Sequence, residues 1–166
     1  GRNVNVENGA ILLRVPTDSG GARIRSSALT VGITGTTAMF EHHRRTYTKL
    51  IVLEGSSEAW LTKYPGNRVR VRGGQMLVVR AGATRLSEPV DIDVDRLLRT
   101  ANLITAFPPL PSLALIRNVA NSQKKSGGPL VNPLIDPTGM DARDVTASTR
   151  PQSTPFKPPG GRNRNP

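Results

Sequence analysis

The sequence predicts an all-β fold: a small solenoid-like or sandwich-like domain of short strands, then one or two short helices and an extended proline-rich tail. Between residues 10 and 80, short apolar or alternating runs recur roughly every 8–12 positions and are separated by turn residues. Strands this closely spaced leave no room for crossover helices, which excludes a Rossmann-type enzyme. Eleven of the fourteen prolines lie in residues 108–166, so the last third of the chain has a different composition.

These shifts divide the chain into three predicted parts. Residues 1–89 form a basic β domain, residues 90–126 a helical connector, and residues 127–166 an extended tail rich in Pro, Gly and Asn. Such a tail cannot bury enough apolar surface to offset its own ordering entropy. We therefore expect a contact with its own domain or with another molecule to hold it.

Eight runs in the β domain have the composition of strands. In chain order they are AILLRV (10–15), ARIRS (22–26), LTVGIT (29–34), AMFEH (38–42), YTKLIVL (47–53), EAWLT (58–62), RVRVR (68–72) and MLVVR (76–80). Three glycines between or beside runs, Gly35, Gly55 and Gly74, mark positions where the backbone turns or approaches a neighbour closely.

The connector has helical spacing. Asp93 or Asp95 can cap a first helix, in which apolar residues follow the i, i+3, i+4 rule over 94–104. Ser112 can cap a second helix, which ends with two lysines before Gly127.

Little in the sequence points to catalysis. Cysteine is absent, and the adjacent His42 and His43 point to opposite faces of a strand, so they cannot easily serve one metal or one triad. A solvated strand end accounts for them better. We expect no enzyme activity, catalytic residue, metal or cofactor. No apolar run approaches the ~18 residues of a membrane helix.

The chain carries 23 Lys and Arg against 12 Asp and Glu, a net charge of +11. Arg68, Arg70 and Arg72 share one face of a strand, as do Arg23 and Arg25. Aligned in neighbouring strands, they would form a positive stripe. The stripe is either a solvated face or a site for an acidic protein surface or an anionic polymer such as a glycan. Specific nucleic acid recognition is disfavoured, because stacking aromatics are nearly absent.

Four segments carry a family resemblance: GAILLRVP (9–16), ARIRSSALTVGITGTTAMFE (22–41), LIVLEGS (50–56) and RGGQMLVV (72–79). Together they resemble the FecR-family extracytoplasmic domains over about residues 5–84. The resemblance implies a small, non-enzymatic, solenoid-like β domain outside the bacterial cytoplasm, whether secreted, periplasmic or at the cell surface. Regulatory members relay the occupancy of an outer-membrane receptor to a sigma factor.

The sequence starts partway through the family's strand pattern, so we expect an open end with unpaired strands. The open end and a tail anchor of Pro155, Phe156, Pro158 and Pro159 would then join subunits of a homo-oligomer or polymer, as in a self-assembling extracellular filament. Two alternatives stand beside this interpretation: a periplasmic sensing domain of a FecR-type anti-sigma regulator, and a binder of anionic polymers.

Overall fold

The structure, a computed structural model, describes residues 1–134. The tail anchor predicted at Pro155, Phe156, Pro158 and Pro159 lies outside the described residues. The strands are β1 (Arg2–Asn5), β2 (Gly9–Val15), β3 (Ala22–Arg25), β4 (Leu29–His43), β5 (Tyr47–Leu61), β6 (Tyr64–Arg72), β7 (Gln75–Arg80) and β8 (Val90–Asp91). The helices are α1 (Val94–Thr100), α2 (Asn102–Thr105) and α3 (Leu113–Ser126). The predicted fold class, mostly strands followed by short helices, is confirmed.

All eight strands belong to one mixed sheet that is built around the long antiparallel pair β4 and β5. Strand β3 pairs with the first part of β4 and β2 with its second part. In the same way, β7 pairs with the first part of β5 and β6 with its second part. Strand β1 joins β3 in parallel, and β8 joins β7.

The two long strands bend together at a corner made by Gly35 and Gly55. The register of β4 on β5 shifts between Thr34 and Thr37 and again between Thr37 and Ala38, as at a β-bulge. Gly35 and Gly55 have φ of 59° and 81°, which side chains rarely allow. A Cβ on Gly55 would lie 2.2 Å from the carbonyl oxygen of Gly35, so only glycine fits there.

The bend folds the sheet onto itself as two layers. Layer 1 contains β1, β3, β6, the first part of β4 and the second part of β5; layer 2 contains the rest. Side chains from both layers fill the shared interior, among them Ile24, Val31, Phe40, Leu50 and Leu77, all fully buried. Of the two arrangements that the sequence left open, the sandwich-like one describes this sheet.

The helices cover the outer face of layer 2 and form a second apolar cluster with it. Ile51 and Met76 of the sheet pack there with Leu97 of α1 and Ile116 of α3. The segment 90–126, which the sequence presents as a connector, thus contributes buried side chains. Gly74, with φ of 85°, lies directly under α3, where Gln123 Nε2 donates a hydrogen bond of 3.0 Å to its carbonyl oxygen. Within residues 1–134, no helix is long and apolar enough to cross a membrane.

Both predicted helix starts are confirmed, since Asp93 and Ser112 occupy the N-cap positions of α1 and α3, but only Asp93 caps its helix with its side chain. Asp93 caps α1 by accepting a hydrogen bond of 2.9 Å from the backbone N–H of Arg96, and Gly127 ends α3 with φ of 65°. Ser112 makes no side-chain cap to α3. Its hydroxyl lies 2.7 Å from the Thr37 hydroxyl, which donates in turn to the buried carboxylate of Glu54. This polar chain ties α3 to the corner of the sheet.

Gly55→Ala tests the corner. The added Cβ meets the Gly35 carbonyl oxygen and the residue keeps a left-handed φ, so we expect a loss of at least about 3 kcal/mol in the free energy of unfolding. Gly66→Ala is the matched control, because open space surrounds that position. It is expected to change stability by less than about 0.5 kcal/mol in urea denaturation. Equal effects of the two substitutions would contradict the role of Gly55.

A second prediction concerns Ser57, whose side chain faces the interior and is 4% exposed. Its hydroxyl finds no hydrogen-bond partner within the described part of the chain. Leaving a buried hydroxyl unsatisfied costs about 1–3 kcal/mol. Ser57→Ala is therefore expected to raise the free energy of unfolding by about 1 kcal/mol, measured by urea denaturation, and a loss of stability would show that the hydroxyl is satisfied.

Candidate functional site

The outer face of layer 1 is not covered by the described helices, and it displays the arginines that the sequence singles out. We call it the basic face: Arg23 and Arg25 on β3, and Arg68, Arg70 and Arg72 on β6, all five exposed. The expectation of neighbouring strands is wrong, because β4 and β5 lie between β3 and β6. The arginines therefore form two rows at the sides of the face instead of one stripe.

Trp60 fills the centre between the two rows. The register aligns it with Thr30 on β4 and with Arg68 on β6. The guanidinium carbon of Arg68 lies 4.6 Å from the centroid of its ring, and that of Arg23 lies 5.9 Å away, both within cation–π range. The ring lies next to Gly32, where an added Cβ would make an ordinary van der Waals contact with it at 3.7 Å.

One acidic group lies within this arrangement. Glu58 of β5 accepts a hydrogen bond of 2.7 Å from Arg68 Nη1, with both side chains about half exposed. In residues 1–134, none of the other four arginines of the basic face has a carboxylate partner. The face therefore presents an excess of guanidinium groups around a flat aromatic ring.

Sequence reasoning missed the part that Trp60 plays. A usable signal was present: in the run EAWLT, Glu58 and Trp60 alternate with the apolar Ala59 and Leu61. Alternation places Trp60 on the solvent face of its strand, the same face as its charged neighbour. The pairing across strands that brings two arginines to the ring was not readable from one strand alone.

The layers meet again on the side opposite the corner, where four turns come together. We call this region the mouth: the turns around Ser27, Arg45, Lys63 and Gly82. His42 joins the layers inside it, with Nδ1 2.7 Å from Thr48 Oγ1 and Nε2 3.1 Å from Ser27 Oγ. The sequence placed both histidines at a solvated strand end, but His42 is buried. Burial lowers the pKa of His42, and the charges of Arg44 and His43 lower it further.

His43 belongs to a separate cluster around Glu41. Glu41 Oε1 accepts hydrogen bonds from His43 Nε2 at 2.6 Å and from the Tyr47 hydroxyl at 2.7 Å, while Lys49 Nζ lies 2.9 Å from Oε2. Burial alone would raise the pKa of Glu41, but these hydrogen bonds outweigh it and lower the pKa to about 2. Over the described range, no group of three or more His, Asp or Glu could hold a metal ion.

Comparison with known proteins gives few matches. No family model and no curated protein matches the chain. Two crystal structures of candidate anti-sigma factors from Parabacteroides distasonis ATCC 8503 are similar to it, at 17% and 14% sequence identity with TM-scores of 0.47 and 0.45. The alignments cover 58% and 59% of this chain and 46% and 47% of those chains. The matched region thus spans just under half the length of those two proteins.

The Glu41 cluster yields a prediction of pH-dependent stability. Because the pKa of Glu41 is lower in the folded chain than in the unfolded chain, its contribution is complete above pH 4.5 and is lost as the pH falls toward 2. Because the carboxylate is partly exposed to solvent, Glu41→Gln is expected to remove about 1–2 kcal/mol at pH 7 and to weaken this acid dependence, measured by urea denaturation from pH 7 to pH 2.5.

Two further variants test whether the effect comes from the ion pair of Glu41 and Lys49 or from the loss of a negative charge in general. Adding Lys49→Met to Glu41→Gln removes the buried, unpaired ammonium and should recover part of the stability. Glu88→Gln removes the same charge at an exposed position and should change little. If Glu88→Gln is as harmful as Glu41→Gln, the cluster is not the source of the effect.

Proposed function

We propose that this chain is a non-enzymatic, extracytoplasmic interaction domain of the FecR type, which serves signal transduction by docking an acidic protein surface on its basic face. The observation that carries the proposal is Trp60, held between Arg23 and Arg68 on a sheet face that the described helices leave uncovered.

The chemistry of the basic face suits recognition of carboxylates. Tryptophan and arginine are the residues that most often dominate binding energy at protein interfaces. A guanidinium group can bind a carboxylate with two parallel hydrogen bonds, and Arg25, Arg70 and Arg72 have no carboxylate partner within residues 1–134. Contact with the ring of Trp60 already restricts the side chains of Arg23 and Arg68 before a partner binds. These two side chains therefore lose less conformational entropy on binding than free arginine side chains would.

The side chains of the basic face are suited to binding a partner and do not form a catalytic site. Its one carboxylate, Glu58, is engaged by Arg68, and the arginines and Trp60 supply neither a nucleophile nor a general base at neutral pH. A binding role therefore accounts for these residues better than catalysis does.

The FecR part of the proposal draws on the motif residues and their places in the fold. The segment 50–56 contains Gly55, where the corner accepts only glycine, and the segment 22–41 contains Gly35, its partner at the corner. The segment 72–79 contains Gly74, which lies under α3. The quoted motifs thus coincide with positions of strict backbone geometry.

Assembly into a filament is a weaker candidate. It depends on the predicted open end of the β domain and on the predicted tail anchor around Phe156, which lies outside the described residues, and it stays a prediction. The basic face needs no residue beyond 134.

Intrinsic fluorescence can test the proposal directly, because Trp60 is the sole tryptophan of the chain. Titration with poly-L-glutamate as the acidic probe is expected to change the emission of Trp60, with an affinity that falls as salt rises. Arg23→Gln combined with Arg70→Gln should weaken binding by about tenfold or more. Arg117→Gln, which removes one exposed charge on α3, is the control and should bind within about twofold of the wild type.

Two further probes, heparin and duplex DNA, distinguish an acidic protein partner from an anionic polymer. Binding of heparin or duplex DNA but not of poly-L-glutamate would replace the acidic protein with an anionic polymer. No emission change with any probe at low salt, or equal losses in the paired variant and in Arg117→Gln, would remove the basic face as a docking site. For the regulatory role, the test is whether the same polypeptide carries a membrane helix and a sigma-binding segment.

A further inference from the structure

The mouth contains a cavity that the proposed function does not use. Its volume is about 290 Å³, and it opens between the two layers, away from the basic face. Three cationic side chains from different turns line it: Arg45, Lys63 and Arg80. No carboxylate belongs to its described lining.

The floor of the cavity combines apolar and polar groups. Leu61 and Val79, each 2% exposed, provide apolar surface, and Tyr64 extends along the rim at 51% exposure. The hydrogen-bonded group of His42, Thr48 and Ser27 borders the same space. Apolar walls with a few fixed polar groups are typical of small-molecule sites. Because the low-dielectric walls reduce screening, cations at this opening attract an anion more strongly than cations on an open surface do.

The backbone at Arg45 adds an independent observation. Arg45 has φ of 70°, and it is the only residue other than glycine with a positive φ within residues 1–134. An arginine in this conformation costs about 1 kcal/mol or more relative to a residue that accepts it, and such strain is common at binding sites. Asn or Gly would satisfy the turn without strain, so folding alone gives no reason for an arginine here.

We propose that the mouth binds a small molecule that carries a carboxylate or phosphate group on a compact, partly apolar body. Arg45 and Lys63 hold the anionic group, and the body lies against Val79 and Tyr64. The volume lies at the lower end of the range for ligand sites, about 300–1,000 Å³, which excludes a large cofactor. This inference does not depend on the basic face.

The test uses NMR of the ¹⁵N-labelled full chain with three probes at millimolar concentration: inorganic phosphate, glycerol phosphate and succinate. We expect at least one probe to shift the amide resonances of residues 42–48, 61–64 and 79–83 in a saturable manner. The two phosphates and the dicarboxylate distinguish the two sources of the oxyanion, and glycerol phosphate shows whether an attached body strengthens binding.

Two variants link any binding to the mouth. Arg45→Gly removes a cation and relieves the strained φ, so it is expected to fold at least as stably as the wild type. Combined with Lys63→Gln, it should weaken binding by at least about tenfold. Arg70→Gln, on the basic face, is the control and should leave binding unchanged.

Three results would overturn the inference. One is the absence of saturable shifts in the mouth with all three probes. Another is equal affinity of the wild type and the Arg45→Gly, Lys63→Gln variant. The third is a set of shifts confined to residues 23–25 and 68–72, which would assign anion binding to the basic face alone and leave the proposed function intact.

Discussion

The structure depends on one steric constraint, the close approach of the Gly35 carbonyl oxygen to the α-carbon of Gly55 at the corner. Without the bend, the two paired strands of 15 residues each could not fold back on themselves to enclose one face of the sheet. The bend there turns one sheet into two layers, so side chains along each long strand can meet across a shared interior. It also brings the far ends of the same strands together, which creates the mouth.

The two layers differ in how far their outer faces are covered and in how many of their polar groups are paired within the chain. The helices cover part of the outer face of layer 2, and several polar groups of this layer are paired within the chain, as around Glu41 and along the path from Ser112 to Glu54. Among residues 1–134, layer 1 is buried on one face only, and its outer face carries guanidinium groups that exceed the carboxylates near them. Function is therefore best sought on the outer face of layer 1 and at the mouth, where cationic side chains line a cavity.

The sequence was informative about local structure and less so about the folding of the sheet. Alternation and turn residues located most strands, and Asp93 marked the start of α1 as predicted. The turn residues near Gly35 and Gly55 predict strand ends, but both glycines lie inside continuous strands, because a bulge and a turn have the same local composition. Ser112 begins α3 as predicted, but its hydroxyl contacts Thr37, a residue 75 positions distant, and no local pattern encodes that contact.

The candidate sites show the same limit. The arginines of the basic face were identified by period-2 alternation, which depends only on one strand. Three features depend on the order of strands in the sheet, which alternation and turn residues do not determine. They are the distance between the two rows of arginines, the insertion of Trp60 between Arg23 and Arg68, and the cavity at the mouth.

The arrangement of the helices has a consequence for orientation. Ile92 pairs with Val131, so the described chain ends beside the helix-covered face of layer 2, across the thickness of the sandwich from Trp60. A domain fastened through that side would still point its arginines toward the surroundings. The basic face and the last described residues therefore lie on opposite sides of the sandwich.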